Sequence, residues 1–239
     1  MNQIPAKNGA NSDLLRERKS LSQEVAEIIR DNIRQGRLTQ GERVVESKLA
    51  KDLGLSLTPV REAVRQLVGE GILTVSPNRG PSVRILHPDD AYELYSLRGQ
   101  LEGLAIKLAI CQATLEEREE IRLLFDRMIP LVDDPSVPEL QGYSQLIHEG
   151  IVTLSRHQRL IAFYASLSLQ FALLNQQVAR KSNKAHEVKW HRPVVEALFL
   201  DDPVAAEAIM VEHIRESYEA YITAYASDQA EVVLFREWV

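Results

Sequence analysis

The feature that most constrains this chain is a change of hydrophobic period in its first 90 residues. Leu21, Val25, Ile28, Ile29 and Ile33 recur at three- and four-residue spacing, as on one face of an amphipathic helix. Gly36 is a natural stop, and QGRLTQGE reads as a loop. ESKLAKDL makes a short second helix ending at Gly54, and LSLTPVREAVRQL makes a third. The pattern then switches: ILTVS and PSVRIL are short β-branched runs joined by PNRG, a hairpin signature.

Three short helices followed by a hairpin, with a tight glycine-bearing turn between the second and third helices, form a winged helix-turn-helix pattern. HPDD, residues 87–90, separates this unit from the rest: Pro88 interrupts a preceding helix and Asp89 is positioned to cap the next one. Beyond it the spacing is helical throughout. The expected helices run from Ala91 to about Cys111, from Leu115 (with Thr114 as N-cap) to about Val132, and then over 139–155, 158–181, 184–200 and 203–226, with a break at DDPSVP. The expected fold is therefore mainly α. It comprises a polar, flexible tail (1–15), a winged helix-turn-helix of three helices and a small β-hairpin (16–86), a linker (87–90) and an all-α helical bundle (91–239).

The third helix sorts its residues by face. Val60, Ala63, Val64, Leu67 and Val68 form an apolar stripe; Thr58, Arg61, Glu62, Arg65 and Gln66 point the other way. Pro59 is tolerated only in a first turn, which makes Ser56 and Thr58 available as caps and aims unpaired backbone N–H groups outward, a ready site for phosphate. Arg61 and Arg65 share a face, and an arginine fork matches guanine or phosphate. Arg79 and Gly80 at the hairpin tip add a basic point that fits a groove or backbone. The alternative is a plain surface helix in which Glu62 and Arg65 pair one turn apart.

Charge supports the first reading. The chain is acidic overall, at −6, but residues 1–86 carry a net +4 and residues 87–239 a net −10. Such asymmetry places a basic contact surface on one part only. No apolar run approaches the roughly 18 residues of a membrane span, and MNQIPAKNGANSD lacks the apolar core of a secretory signal. The single cysteine, Cys111, fits a reducing compartment, and a cytoplasmic location is expected.

The run from Gly36 to Val83, GRLTQGERVVESKLAKDLGLSLTPVREAVRQLVGEGILTVSPNRGPSV, resembles the DNA-binding domain of the GntR family of bacterial transcription regulators. It keeps G-x-L-x-x-G, L-A-x-x-L-G-hydrophobic-S-x-T-P-V-R-E-A, L-x-x-E-G and R-G-x-x-V. The resemblance implies that the helix holding TPVREA is the recognition helix, and that Thr58, Arg61, Arg79 and Gly80 stand at DNA-contacting positions. Ser56 and Arg65 join the set on geometry. One departure is Leu57, where the family usually has arginine.

The helical half resembles, more loosely, the FadR subfamily, whose effector domain binds a small carboxylate, often through a divalent metal. The resemblance rests on LYSLRGQLEGLAIKLA, QLIHEGIVTLSRHQRLI and HRPVVEALFLDDPVAAEAIMVEHI. By spacing alone, three histidines 43 and 22 residues apart are not a metal signature. The resemblance places His148, His191 and His213 at metal-ligand positions, for which Zn²⁺ or Ni²⁺ is suited. The subfamily's fourth ligand, an aspartate, is replaced by Ser144, so water or effector would have to complete the shell. Arg98, beside an apolar stripe of Leu94, Leu101, Ala105 and Leu108, needs a partner if buried; Glu102 or an effector carboxylate is available. His87, His157 and His186 read as linker or surface residues.

The expectation is a homodimeric transcription regulator, a repressor by family habit. It would bind a palindromic double-stranded DNA operator under control of a small organic acid and is not an enzyme. Arg98 and Ser144 would contact the effector. Two alternatives remain: a DNA-binding dimer without effector response, and a metal-dependent hydrolase. The second lacks a compact ligand motif such as H-E-x-x-H and an evident general base beyond Glu149 and Glu187.

Overall fold

The computed structural model of the chain describes residues 20–77, 79–133, 137–179, 184–226 and 238. The expected tail over 1–15 and the centre of the DDPSVP break lie outside the described residues, as does the His186 side chain. The structure is mainly helical, with nine helices and one two-stranded hairpin among the described residues.

Helix α1 (Leu21–Arg34) opens on a capping box. The Gln23 N–H donates to Ser20 Oγ at 3.2 Å, and the Ser20 N–H donates to Gln23 Oε1 at 2.8 Å. It buries Val25, Ala26, Ile29 and Ile33; Leu21 and Ile28, counted in the expected stripe, lie at the surface. Helix α2 (Glu46–Leu53) stops at Gly54, whose φ of +66° turns the chain into α3 (Leu57–Gly69). No atom lies within 4 Å of a Cβ built there, so backbone conformation rather than space calls for glycine. Strands β1 (Leu73–Ser76) and β2 (Gly80–Val83) pair antiparallel, Leu73 opposite Val83 and Ser76 opposite Gly80.

The segment just after the expected loop does more than connect. The Val44 N–H donates to the Pro81 carbonyl and the Val83 N–H to the Glu42 carbonyl, both at 2.9 Å, and Arg43 bridges Ser82. Residues 42–44 thus add a short third pairing to β2. The run is too brief to show a period of two in sequence.

Helix α4 (Pro88–Gln112) starts inside the expected linker. Its N-cap is His87, not Asp89, and Pro88 sits in the first turn, where its missing N–H has no helical partner to lose. Asp90 does the local work: its carboxylate accepts the His87 N–H at 3.0 Å and the Arg84 guanidinium at 2.8 Å.

The bundle continues with α5 (Leu115–Met128), a 3-10 turn (Ile129–Asp133), α6 (Val137–Leu154), α7 (Gln158–Ala179), α8 (Lys184–Ala197) and α9 (Pro203–Ala226). Thr114 caps α5 as expected, and Asp202 Oδ1 accepts the Val204 and Ala205 N–H groups at the start of α9. Helix α4 packs along much of α9. Gly103 permits the approach, since a Cβ there would meet Val211 Cγ2 at 3.0 Å. Trp238, from the apolar tail, lies over Gly99 and 5.7 Å from the Tyr218 ring, so this residue packs on the chain's own bundle. No helix among the described residues is long and apolar enough to cross a membrane.

Candidate functional site

Two clusters of chemistry-bearing residues stand out. The first is on the N-terminal unit. In α3, Val60, Ala63, Val64 and Leu67 are buried as the pattern requires, while Thr58, Arg61, Glu62, Arg65 and Gln66 are exposed. Ser56 is the N-cap residue, but its side chain makes no capping hydrogen bond. The Glu62–Arg65 pair of a plain surface helix does not form among the described residues. Instead Arg61 Nε reaches across to Glu46 Oε2 on α2 at 3.6 Å. Both groups are solvated, so the pair holds the arginine weakly and leaves it free to be drawn away. Leu57, standing at the missing arginine position, is half-buried against the core.

At the hairpin tip Arg79 is exposed and Gly80 has φ +74°, a conformation that side-chain-bearing residues adopt only with strain. Sequence reading missed Arg43. Its guanidinium lies over Gly80, with Nη2 3.6 Å from where a Cβ would be, and it lines one groove with Arg79 and Ser82. Only the pairing of residues 42–44 with β2 brings it there.

The second cluster is inside the bundle. His148 from α6, His191 from α8 and His213 from α9 are each at most 4% exposed, and their ligand atoms lie within 4.8 Å of one another. His148 Nε2 is 3.2 Å from His191 Nε2 and 3.3 Å from His213 Nε2. The partners of the other ring nitrogens fix the tautomers. His148 Nδ1 faces Glu102 Oε2 at 2.5 Å and His191 Nδ1 faces the Glu187 carbonyl at 2.7 Å, so both rings carry their proton on Nδ1. Their Nε2 lone pairs therefore converge on one point, where the Ser144 hydroxyl and the His213 ring are the groups within reach among the described residues. Ligands about 2.0–2.1 Å from a tetrahedral zinc are roughly 3.3–3.4 Å apart, close to the two separations seen. The donor set thus fits a divalent ion with imidazole preference.

Ser144 Oγ lies 2.8 Å from His191 Nε2, beside the cluster but without a charge to offer an ion. Burial pushes His148 and His191 down to about 4, the Glu102 carboxylate only partly opposing this for His148. Burial likewise holds His213 well below the usual histidine range, helped by its two neighbours. All three rings are consequently neutral near pH 7, the form that binds metal.

Glu102 joins this cluster to Arg98. The carboxylate is fully buried. Its Oε1 accepts from Arg98 Nε at 2.6 Å and from the Tyr164 hydroxyl at 2.7 Å, while Oε2 meets His148. Burial alone would raise its pKa; Arg98 and His148 outweigh that and hold it at about 2. Of the two partners weighed for Arg98, Glu102 is the one present in the chain. The Arg98 Nη groups have no hydrogen bond among the described residues and border a cavity of about 570 Å³ that also exposes Ser144, His148, His191, His213 and Trp190. The structure thus brings together every residue expected in the metal and effector set. His87 and His157 are exposed and stand apart; His157 Nδ1 accepts the Leu160 N–H at the start of α7.

Comparison with known proteins gives two family matches. Residues 21–83 match "Bacterial regulatory proteins, gntR family" and residues 93–216 match the FCD domain. A probable D-xylose utilization operon transcriptional repressor of Paenarthrobacter nicotinovorans is 30% identical over 215 residues, covering 90% of this chain and 93% of that protein. The Nta operon transcriptional regulator of Aminobacter aminovorans is 30% identical over 181 residues, covering 75% and 84%. Among solved structures, E. coli McbR/YncC superposes with a TM-score of 0.76 at 22% identity, covering 86% of this chain and 99% of that one. At that identity the likeness speaks for the fold.

Proposed function

The chain belongs to the gntR family of bacterial regulatory proteins, with an FCD domain after its DNA-binding part, and from that premise we propose a repressor whose hold on DNA is set by a metal-anchored carboxylate effector. That it is a DNA-binding transcription regulator and not an enzyme follows from the family, and the hydrolase alternative lapses with it. The remaining assignments are our reading. The observation that carries them is the convergence of three neutral imidazoles beside the open Arg98 Nη groups on one cavity wall.

In this reading residues 16–86 bind DNA, residues 87–90 link, and residues 91–239 sense and dimerise. A homodimer presents two basic units to the half-sites of a palindromic operator in the cytoplasm. Ser56 and Thr58 at the start of α3 face phosphate; Arg61 and Arg65 enter the groove; Arg79 and Gly80 approach the backbone or the adjacent minor groove. Arg43 joins the wing contact.

His148, His191 and His213 hold a divalent ion, zinc or nickel. When bound, the ion supplies positive charge and open coordination positions for a carboxylate. Glu102 orients His148 and keeps Arg98 in place, and Arg98 donates to the effector's acid group. Ser144, too weak a donor to replace the aspartate, leaves room for an effector oxygen. Repression is taken from the name of the Paenarthrobacter relative. Effector binding changes operator affinity only as far as it prefers one arrangement of the two DNA-binding units.

The test is a fluorescence-anisotropy titration of a palindromic operator fragment, run with and without organic acids and chelator, alongside elemental analysis of the purified protein. Sequence-preferring binding that shifts with an acid and with chelation is expected. Binding that ignores every small molecule would leave only the dimer without effector response. Absence of metal from both wild type and His191→Ala would remove the three-histidine centre.

A further inference from the structure

The cavity above the histidines is not closed by the FCD helices alone. Arg34 and Gln35, at the C-terminal end of α1 in the DNA-binding unit, line it together with Asn175 and Gln176 of α7. The two units are clasped at this wall. The Gln176 amide donates to the Ile33 carbonyl, one residue before Arg34. From the other side, Gln40 Nε2 donates to the Leu173 carbonyl at 2.9 Å, and Gln40 Oε1 accepts the Leu86 N–H at 2.8 Å.

Arg34 and Arg98 are the two cations among the described lining residues. Arg34 is about one-third exposed and meets its neighbours Asp31 and Glu27 through Nη1 only, at 2.7 and 3.9 Å. Its Nε and Nη2 groups have no hydrogen bond among the described residues. Of the acidic lining residues, Glu187 is 4.0 Å from His191 Nδ1, and Glu149 accepts from Gln145 one turn earlier on the same helix. A second negative group on a ligand held at Arg98 therefore finds its cationic partner in Arg34, at the α1 wall. A volume of about 570 Å³ is also ample for a molecule larger than a single small acid.

We infer that the effector is a dianion whose distal acid group is bound by Arg34, so that the DNA-binding unit contributes a residue to the effector site. This rests on the carboxylate-effector reading above and adds the second charge and its holder. One acid group lies at Arg98 and the histidine centre. The other takes the free Nε and Nη2 donors of Arg34 at the point where Gln176 holds α1 to α7. An occupied cavity then bears directly on the clasp between the units, without any chain of intermediates.

The probes are 2-hydroxyglutarate and 2-hydroxypentanoate, which share a metal-binding head and carbon count and differ in the distal carboxylate. The zinc-loaded full chain is titrated with each by calorimetry. The dianion should bind at least about tenfold more tightly, as expected for one charge-assisted contact. In Arg34→Gln the ratio of the two affinities should collapse toward one, and Arg34→Lys should restore part of it, which a folding defect would not do. Equal affinities in the wild type, or a preference that survives Arg34→Gln, would overturn the second-anion assignment alone. Binding of neither acid would overturn it together with the carboxylate reading beneath it.

Discussion

Glu102 and His148 meet at 2.5 Å with both side chains at most 2% exposed, and through that contact one carboxylate serves an arginine and a ring nitrogen at once. The contact sets which His148 nitrogen faces the cavity. The other carboxylate oxygen, Oε1, pairs Arg98, which would otherwise be an unpaired guanidinium in the bundle core.

Replacing that carboxylate should be felt in two places. Glu102→Gln keeps the shape but removes the charge, leaving Arg98 buried without its counter-ion, a change of about 3–5 kcal/mol for a broken buried pair. The Nδ1 partner of His148 is weakened as well, which lowers metal affinity by roughly 10–100-fold. Thermal unfolding and competition with a chromophoric chelator read the two effects separately. If both stay at wild-type values, Glu102 does not hold the site together.

Ser144→Asp restores a charged oxygen beside His191 Nε2. Metal affinity should rise by about tenfold or more, and affinity for a monocarboxylate should fall because the new ligand takes a coordination position the acid needs. The same chelator competition, with calorimetry of the acid, checks this. An unchanged metal constant would show that position 144 does not face the ion.

The metal-free protein should lose stability in acid over a defined window. An unfolded histidine takes up a proton near pH 6.5, whereas folded His148 and His191 do so only near 4. Between those limits the unfolded state binds more protons, so stability rises with pH and falls as the solution is acidified. Each ring that refuses a proton removes about 1.4 kcal/mol for every pH unit traversed. Glu102, held at about 2 against an ordinary 4.5, extends the loss below pH 4.5 with the same sign. Urea midpoints measured from pH 7 to 4 on chelator-treated protein should decline throughout, and a flat profile would contradict the burial of neutral rings.

On DNA, Arg61→Ala should weaken operator binding by about 1–3 kcal/mol and relax base preference at the contacted position. Arg79→Ala and Arg43→Ala should instead weaken all sequences alike and reduce the salt slope by about one each. Leu57→Arg should tighten binding, since it adds a cation at the start of the proposed recognition helix. Anisotropy over a salt series distinguishes the patterns. Circular dichroism should be unaltered, because Arg61 and Arg79 are exposed.

Local features were legible in the sequence because they rest on short-range physics. The Gly54 stop, the Thr114 cap and the buried face of α3 follow from backbone conformation, capping and a 3.6-residue period. The three histidines were found by resemblance, since their spacing alone carries no signal. The long-range partners were hidden. Glu102 was weighed as a partner for Arg98, but its second contact spans 46 residues to His148. Arg34 lies in another unit from the cavity it lines, and nothing in α1's periodicity marks it. Arg43 reaches Gly80 only through the pairing of residues 42–44 with β2, a long-range contact that no local pattern marks.

The wall shared by α1 and α7 also limits what can be exchanged between relatives. A hybrid regulator that joins residues 91–239 to a different reading head would keep the histidines and Arg98 yet lose Arg34 and Gln35 from the pocket, along with the Gln40 clasp. Such a hybrid would inherit the sensor's chemistry and not its ligand preference. In this protein the DNA-binding unit and the helical bundle share one pocket, Arg34 and Gln35 standing beside residues of the bundle.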